Sequence, residues 1–231
     1  MQRCSSFPST LPGRASPVNW WLRLTSYGWD QPAKSLEERE LIRRSQLASW
    51  ILAALLIVDL VLLPIGFTDP GVLTAVLVAG ASTWIIAFLN RQGQVTIAAI
   101  LLIIVICAAI PGSDLAESGG ITTDTLPDYD LLVMAVVVAA SLLPPISAFA
   151  VAGLTSLLIC LDFFLQPHAL DLQQALTAYP DEFSGTVTLL ARPIALQILV
   201  ATVAFLWVRG TERAAVLENV AQRPAAVLHP F

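Results

Sequence analysis

The apolar residues of this chain form continuous blocks of about the length that crosses a lipid bilayer, and no other feature constrains the fold as strongly. Hydrophobic residues make up 56% of the 231 residues and charged residues 13%, whereas soluble domains carry about 25% charged residues. A membrane-spanning helix needs about 20 predominantly apolar residues in succession. The pattern therefore predicts an all-α fold, a polytopic integral membrane helix bundle.

Turn residues and polar stretches divide the apolar sequence into six predicted transmembrane helices. The block at residues 131–165 is too long for one span, and Pro144 and Pro145 interrupt it near its middle. Consecutive prolines disrupt helical hydrogen bonding, so we interpret this block as two spans. The six predicted spans occupy residues 47–67, 72–89, 94–110, 129–144, 146–165 and 186–208.

The sequence before the first predicted span, residues 1–46, is interpreted as a cytoplasmic segment. Ser35 and Glu38 have the spacing of a capping box. This spacing predicts a helix that begins near Leu36, lies at the membrane interface over residues 36–46 and continues into the first span. Tryptophans earlier in the segment favour an interfacial element, because aromatic side chains often lie among lipid headgroups. A flexible tail is the alternative interpretation.

Lysine and arginine are distributed unevenly between the predicted connections. Seven of the twelve basic residues precede the first span, Arg91 lies in the second connection and three arginines follow the last span, whereas the first, third and fifth connections contain none. Basic residues concentrate in cytoplasmic loops, and six spans place all these basic segments on one side. We therefore expect a multi-pass protein of a bacterial plasma membrane, with both termini in the cytoplasm and residues 209–231 as a short cytoplasmic tail.

Apart from Asp130 at the edge of the fourth span, three charged residues lie within the predicted spans, namely Asp59, Asp162 and Arg192. At a rise of about 1.5 Å per residue, all three fall in the outer half of the membrane, at depths that permit pairing. Intramembrane ionisable residues usually face the bundle interior or a water-filled cavity. The hypothesis is an outward-facing polar pocket built from these residues, with Gln197 one turn deeper. The alternatives are a salt bridge that fixes helix packing, or an arginine that extends to the outer headgroups.

Small side chains recur at every fourth residue in two of the predicted spans. Such spacing lets helix backbones approach closely, either within one bundle or between protomers, and packing within the monomer is the favoured interpretation. The residues concerned are Ala148, Ala152, Ser156 and Cys160 in the fifth span, and Ala75, Ala79 and Thr83 in the second.

The sequence offers little support for catalysis or for a bound cofactor. Both histidines, His168 and His229, and the single lysine, Lys34, lie outside the predicted spans. Histidine-ligated haem within the bundle and a retinal-type Schiff base are therefore excluded as interpretations. The three cysteines have no metal-type spacing, and no phosphate-binding motif is present. We expect no enzymatic activity, no cofactor, no metal site and no nucleic-acid partner.

The last predicted span continues into the tail as "LLARPIALQILVATVAFLWVRGTERA", residues 189–214. Together with six spans and acidic outer loops, this stretch resembles the multi-span N-terminal sensor regions of bacterial membrane histidine kinases and related signalling proteins. The resemblance covers about residues 35–214 and implies a last helix that leads into a cytoplasmic linker. Here Gly210 should weaken that helix and Pro224 should end it. The output domain is then either lost or supplied by another protein.

The leading interpretation is a sensor-input membrane protein without its own catalytic domain, which perceives an external or membrane-borne stimulus. The alternatives are a structural or accessory subunit of a membrane protein complex, and a small transporter or channel. The partners predicted are the lipid bilayer, a cytoplasmic signalling protein or the subunits of a membrane complex, and a second copy of the chain.

Overall fold

The structure is a computed structural model, and it describes residues 17–29, 35–67, 70–116 and 120–227. Within these ranges the chain is helical, without strands, and one isolated parallel β-bridge joins Ile121 to His168. The all-α class predicted from the sequence is confirmed. The helices are α1 (Pro17–Thr25), α2 (Leu36–Gly66), α3 (Pro70–Arg91), α4 (Val95–Ala116), the 3₁₀ segment Leu126–Leu132, α5 (Val133–Leu142), α6 (Ser147–Leu165), α7 (Leu170–Thr177) and α8 (Glu182–Val227).

Three stretches of helix are long and apolar enough to cross a membrane, which indicates a membrane protein. They are Glu37–Pro64, Ser147–Leu165 and Phe183–Thr211, within α2, α6 and α8. Two shorter apolar stretches, Val76–Arg91 in α3 and Val95–Ala109 in α4, accompany them. The count of six spans remains a prediction.

The start of α2 follows from a local capping interaction. The Ser35 hydroxyl accepts a hydrogen bond from the backbone N–H of Glu38 at 3.1 Å, which satisfies one of the unpaired donors of the first turn. The helix is continuous from Leu36 to Gly66, so residues 36–46 are the first turns of α2 and run into the predicted first span, as the capping-box spacing predicts.

Helix α5 lies at the centre of the bundle, where it packs against α2, α4, α6 and α8. Six of its ten residues are buried, among them Ala135, Ala139 and Ala140, and these small side chains allow close packing on several sides. The 3₁₀ segment precedes it directly, so the predicted fourth span at 129–144 is a 3₁₀ segment followed by a short α-helix. The helix ends at Leu142, before Pro144 and Pro145, because Leu143 adopts an extended conformation.

The two ends of the bundle are built differently. We call them the α1 end, where α1 packs on α2 and α3, and the α7 end, which carries α7 and residues 120–132. At the α1 end, Nδ2 of the buried Asn90 lies 2.9 Å from the carbonyl oxygens of Thr25 and Ser45 and 3.1 Å from the Ser49 hydroxyl. Trp21 donates its indole N–H to the carbonyl of Ser49 at 2.7 Å. These bonds fix α1 against the bundle.

Helix α8 is a single helix of 46 residues. It continues through Gly210 and past Pro224 to Val227, so the expectation that Pro224 ends the helix is wrong. A proline removes one backbone hydrogen bond at a cost of about 3 kcal/mol, and α8 accommodates this change at both Pro193 and Pro224 without ending.

Candidate functional site

A buried carboxylate, that of Asp162, lies near the last turn of α6 at the α7 end. Its Oδ2 atom accepts a hydrogen bond of 2.7 Å from the hydroxyl of Tyr129, which is fully buried. Its Oδ1 atom accepts a hydrogen bond from Nε2 of Gln166, one turn further along the chain. Each carboxylate oxygen therefore has a neutral donor, which offsets part of the cost of burying the group. The contact with Tyr129 joins α6 to the 3₁₀ segment.

The loop before the 3₁₀ segment is attached to the loop between α6 and α7. The backbone N–H of Ile121 donates to the carbonyl of Pro167, and the N–H of Ala169 donates to the carbonyl of Ile121, both at 2.9 Å. Gly120 makes this close approach feasible, because it has a φ of +80° and a Cβ atom there would lie 2.1 Å from the Pro167 oxygen. Asp171 of α7 adds two further hydrogen bonds from Thr123.

Arg192 of α8 forms an ion pair with Asp130 in the 3₁₀ segment. The distance between Arg192 Nη2 and Asp130 Oδ2 is 2.6 Å, and the side chains are 74% and 21% exposed. The arginine therefore lies on the surface of the bundle. Because Asp130 directly follows Tyr129, two consecutive residues of the 3₁₀ segment bind two different helices, α8 and α6.

Asp59 lies apart from these contacts, at the interface between α2 and α3. Its Oδ2 atom is buried and has no hydrogen-bond partner among the described residues. Gly80 of α3 lies opposite it, and a Cβ atom at Gly80 would lie 4.0 Å from this oxygen. Buried polar atoms normally have a partner, so this oxygen is the clearest candidate in α2 for a role in binding a proton or ligand.

Gln197 is fully buried in α8, where its Oε1 atom accepts a hydrogen bond from the hydroxyl of Thr155 in α6. Its Nε2 atom is buried without a hydrogen-bond partner within the part of the chain described. Five residues separate it from Arg192, which at 3.6 residues per turn is a rotation of about 140°. The two side chains therefore leave α8 in different directions, although the sequence places them one turn or so apart.

Among the described residues, Asp59, Asp162, Arg192 and Gln197 make no hydrogen bond or ion pair with one another, so the pocket that would join them stays a prediction. The arginine pairs with Asp130 instead of an intramembrane carboxylate, because the 3₁₀ segment packs on α8. Asp162 is bound by neutral donors within the adjoining 3₁₀ segment and α6. The predicted residues occupy four polar positions, of which the Tyr129–Asp162 and Asp130–Arg192 contacts are joined through the 3₁₀ segment. We call the four residues of these two contacts the α7-end cluster.

The small residues of α6 and α3 occupy different surroundings. Ala148 and Ala152 are buried in a cluster shared with α5 and α8, so their role in this structure is packing within the monomer. Ser156 and Cys160 are half-buried, as is Ala79, whereas Thr83 is buried. The side chain of Ala75 lies outside the described residues.

Sequence reasoning did not assign a role to Tyr129, to Gln166 or to Asp130 as the partner of Arg192. The available signal was the stretch "LPDYDLL" at residues 126–132, in which a tyrosine lies between two aspartates at the start of an apolar block. An aromatic residue with a polar tip in that position can extend into the bundle and still bind a carboxylate.

The described residues contain no group of three or more His, Cys, Asp and Glu side chains arranged to hold a metal ion. Comparisons with models of protein families, with characterised proteins and with solved structures find no match to this chain.

Proposed function

We propose that this protein is a sensor-input protein of a bacterial plasma membrane, with six spans and without catalysis of its own. Both termini lie in the cytoplasm, so the α7 end faces the exterior and the α1 end faces the cytoplasm. A stimulus at the exterior or within the bilayer changes the α7-end cluster. The change is then transmitted to a cytoplasmic signalling partner.

The continuity of α8 supports this proposal more than any other observation. The helix begins at Glu182 beside α7, carries Arg192 within the α7-end cluster and extends without interruption to Val227. A change in its tilt or rotation at one end would therefore be carried along the helix, since backbone hydrogen bonds continue through α8 except at Pro193 and Pro224. No other described helix connects the α7-end cluster to residues beyond the α1 end.

The 3₁₀ segment provides the element through which a stimulus would act. Tyr129 binds α6 and Asp130 binds α8, so a shift of this segment changes the position of α8 relative to α6. A 3₁₀ stretch has weaker hydrogen-bond geometry than an α-helix and often marks a hinge. A ligand that favours one of two arrangements of the segment would shift the population of α8 positions.

The experiment measures whether the α7-end cluster controls the far part of α8. The native cysteines are replaced by serine, spin labels are attached at Ser141→Cys and Thr211→Cys, and the distance between the labels is measured in liposomes. We expect Arg192→Gln and Asp130→Asn to change the distance distribution in the same direction, because each removes the same ion pair.

Two controls make the result specific. The charge reversal Asp130→Arg with Arg192→Asp should restore the original distribution, and Thr188→Val, on the exposed surface of α8 near Arg192, should leave it unchanged. If both single variants leave the distance distribution as it is in the parent protein, the sensor proposal is wrong.

A second candidate function, proton-coupled transport, is favoured by one observation. The buried Oδ2 atom of Asp59 has no partner within the described ranges, and a carboxyl group in such surroundings can bind and release a proton. The test is uptake of a solute into liposomes, driven by a pH gradient. Transport would be favoured over sensing if Asp59→Asn abolishes this uptake and Arg192→Gln does not.

A further inference from the structure

A groove opens at the α1 end between α2, α5 and α8, well away from the α7-end cluster. Its volume is about 490 Å³, within the range of about 300–1,000 Å³ found for small-molecule sites. The walls come from the three helices together, including Arg43 and Arg44 of α2, Val137 of α5 and Trp207 of α8.

On α2 and α8 the lining of the groove changes from polar to apolar in the same direction, whereas in the wall formed by α5 and the connection after it Ser141 lies between apolar residues, with Leu143 and Pro145 on its far side. On α2, Glu40, Arg43 and Arg44 are followed by Leu47 one turn further into the bundle. On α5 and α8, which run the opposite way, the order is Ser141 and then Val137, and Thr211 and then Ala204. One end of the groove therefore suits an anionic group, and the other end suits a hydrocarbon chain.

The two arginines of the groove share one carboxylate. Glu40 accepts hydrogen bonds from Nε and Nη2 of Arg43 at 2.9 and 2.8 Å, and from Nε of Arg44 at 2.8 Å. Nη1 of Arg44 also lies 3.4 Å from the carbonyl of Leu142, at the end of α5. These contacts engage two of the five N–H groups of each guanidinium, and the three side chains together carry one net positive charge.

We infer that this groove binds an anionic phospholipid. The phosphate accepts hydrogen bonds from Arg43 and Arg44, an acyl chain lies along Leu47, Val137 and Ala204, and Trp207 lies at the headgroup level, where tryptophan is enriched. Basic pockets between spanning helices bind anionic headgroups through the same chemistry. The inference depends on α2 and α8 spanning a bilayer and not on the sensor proposal.

Arg43 offers the cleanest test, because it contacts Glu40 but does not bind the end of α5 as Arg44 does. The full chain is purified in a non-ionic detergent and titrated with dioleoyl phosphatidylglycerol or dioleoyl phosphatidylcholine, and bound lipid is counted by native mass spectrometry. We expect tighter binding of phosphatidylglycerol. Arg43→Gln should weaken that binding about fivefold, since a basic residue near an anionic lipid surface contributes about 1 kcal/mol.

Matched variants distinguish lipid binding in the groove from attraction of the lipid by the general surface charge. Arg209→Gln removes an exposed arginine from α8 outside the groove and should leave lipid binding unchanged. Val137→Trp fills the apolar part of the groove and should displace the lipid, whereas Val203→Trp, on an exposed part of α8 that does not line it, should not.

Three outcomes would overturn the inference. The first is equal binding of the two lipids, and the second is an equal effect of Arg43→Gln and Arg209→Gln. The third is displacement of phosphatidylglycerol by inorganic phosphate together with no effect of Val137→Trp, which would identify a site for a free anion. Circular dichroism of each variant verifies that the helices are retained.

Discussion

At the scale of single residues, Asp162 illustrates how a carboxylate is accommodated among apolar neighbours. Tyr129, Ile159 and Phe163 around it are fully buried, and the hydrogen bonds to the carboxylate come from neutral groups, the hydroxyl of Tyr129 and the amide of Gln166. In a medium of low polarity such bonds are strong, and the loss of one leaves a buried acceptor without a partner. The stability of the α7-end cluster should therefore depend on the tyrosine hydroxyl.

The first prediction concerns that hydroxyl. Tyr129→Phe should lower the free energy of unfolding by about 1–3 kcal/mol, because it leaves Oδ2 of Asp162 without its donor. The measurement is thermal unfolding of the purified protein in detergent. Tyr179→Phe, a half-buried tyrosine of the same end, serves as the control and should have a smaller effect. Equal destabilisation by both variants would contradict the role assigned to Tyr129.

The second prediction concerns pH. The pKa of Asp171 is held below its usual value of 3.8 by hydrogen bonds from the backbone N–H and the hydroxyl of Thr123. Because the folded-state pKa is lowered, the stabilisation is present above the ordinary pKa and is lost as the pH falls through the lowered value. The protection factor of the Thr123 amide against hydrogen exchange should therefore hold down to about pH 4 and fall in stronger acid.

Asp171→Asn is the comparison for that measurement. The asparagine oxygen accepts a hydrogen bond but carries no charge, so exchange at Thr123 should be faster than in the parent protein and should not show the acid transition. An unchanged pH profile in the variant would mean that another group controls the loop.

The pairing of residues could not be predicted from the sequence, and their depth in the membrane stays a prediction. Counting residues from the end of a span gives a predicted depth for Arg192 and Asp162, but it does not give the direction in which a side chain leaves its helix or which helix lies beside it. Asp130 became the partner of Arg192 because the 3₁₀ segment packs on α8, a long-range contact with no local signal.

At the scale of elements, capping and proline residues predicted where helices begin and end more successfully than the sequence predicted which helices pack together. The start of α2 at Leu36 and the break between α5 and α6 coincide with a capping serine and a proline pair. By contrast, α1 and α7 are short and carry no apolar run of membrane length, so a search for spans passes over them. The continuation of α8 past Pro224 was also not predicted. The free energy lost at a single proline is smaller than the free energy that the rest of a long helix contributes.

The third prediction concerns the central position of α5. Ala139 is fully buried between neighbouring helices, so Ala139→Leu should force them apart and reduce the free energy of unfolding by about 1–3 kcal/mol. Ala150→Leu makes the same change at an exposed position of α6 and should be nearly neutral. Thermal unfolding in detergent measures both, and equal effects would show that α5 is not tightly packed.

At the scale of the whole molecule, the distribution of charge gives the two ends different partners. The α1 end carries the arginines of the lipid groove, and the α7 end carries the acidic loops and the α7-end cluster. Basic residues are retained on the cytoplasmic side of membranes, so we expect the α1 end to face the cytoplasm and the α7 end to face the opposite compartment.

The fourth prediction tests this orientation. A fluorescent reporter that matures only in the cytoplasm should be bright when fused after Phe231, and a reporter that is active only outside should be active when inserted after Thr123. Reversal of either result would contradict both the six-span topology and the proposed position of the α7-end cluster at the exterior.

The length of α8 has a mechanical consequence. Its 46 residues at a rise of about 1.5 Å each extend about 69 Å, more than twice the hydrocarbon thickness of about 30 Å. A tilt of only about 5° about one end would displace the opposite end by about 6 Å. Under the six-span proposal, a small tilt of α8 at the α7 end would therefore move residues beyond the α1 end by more than the width of an atom.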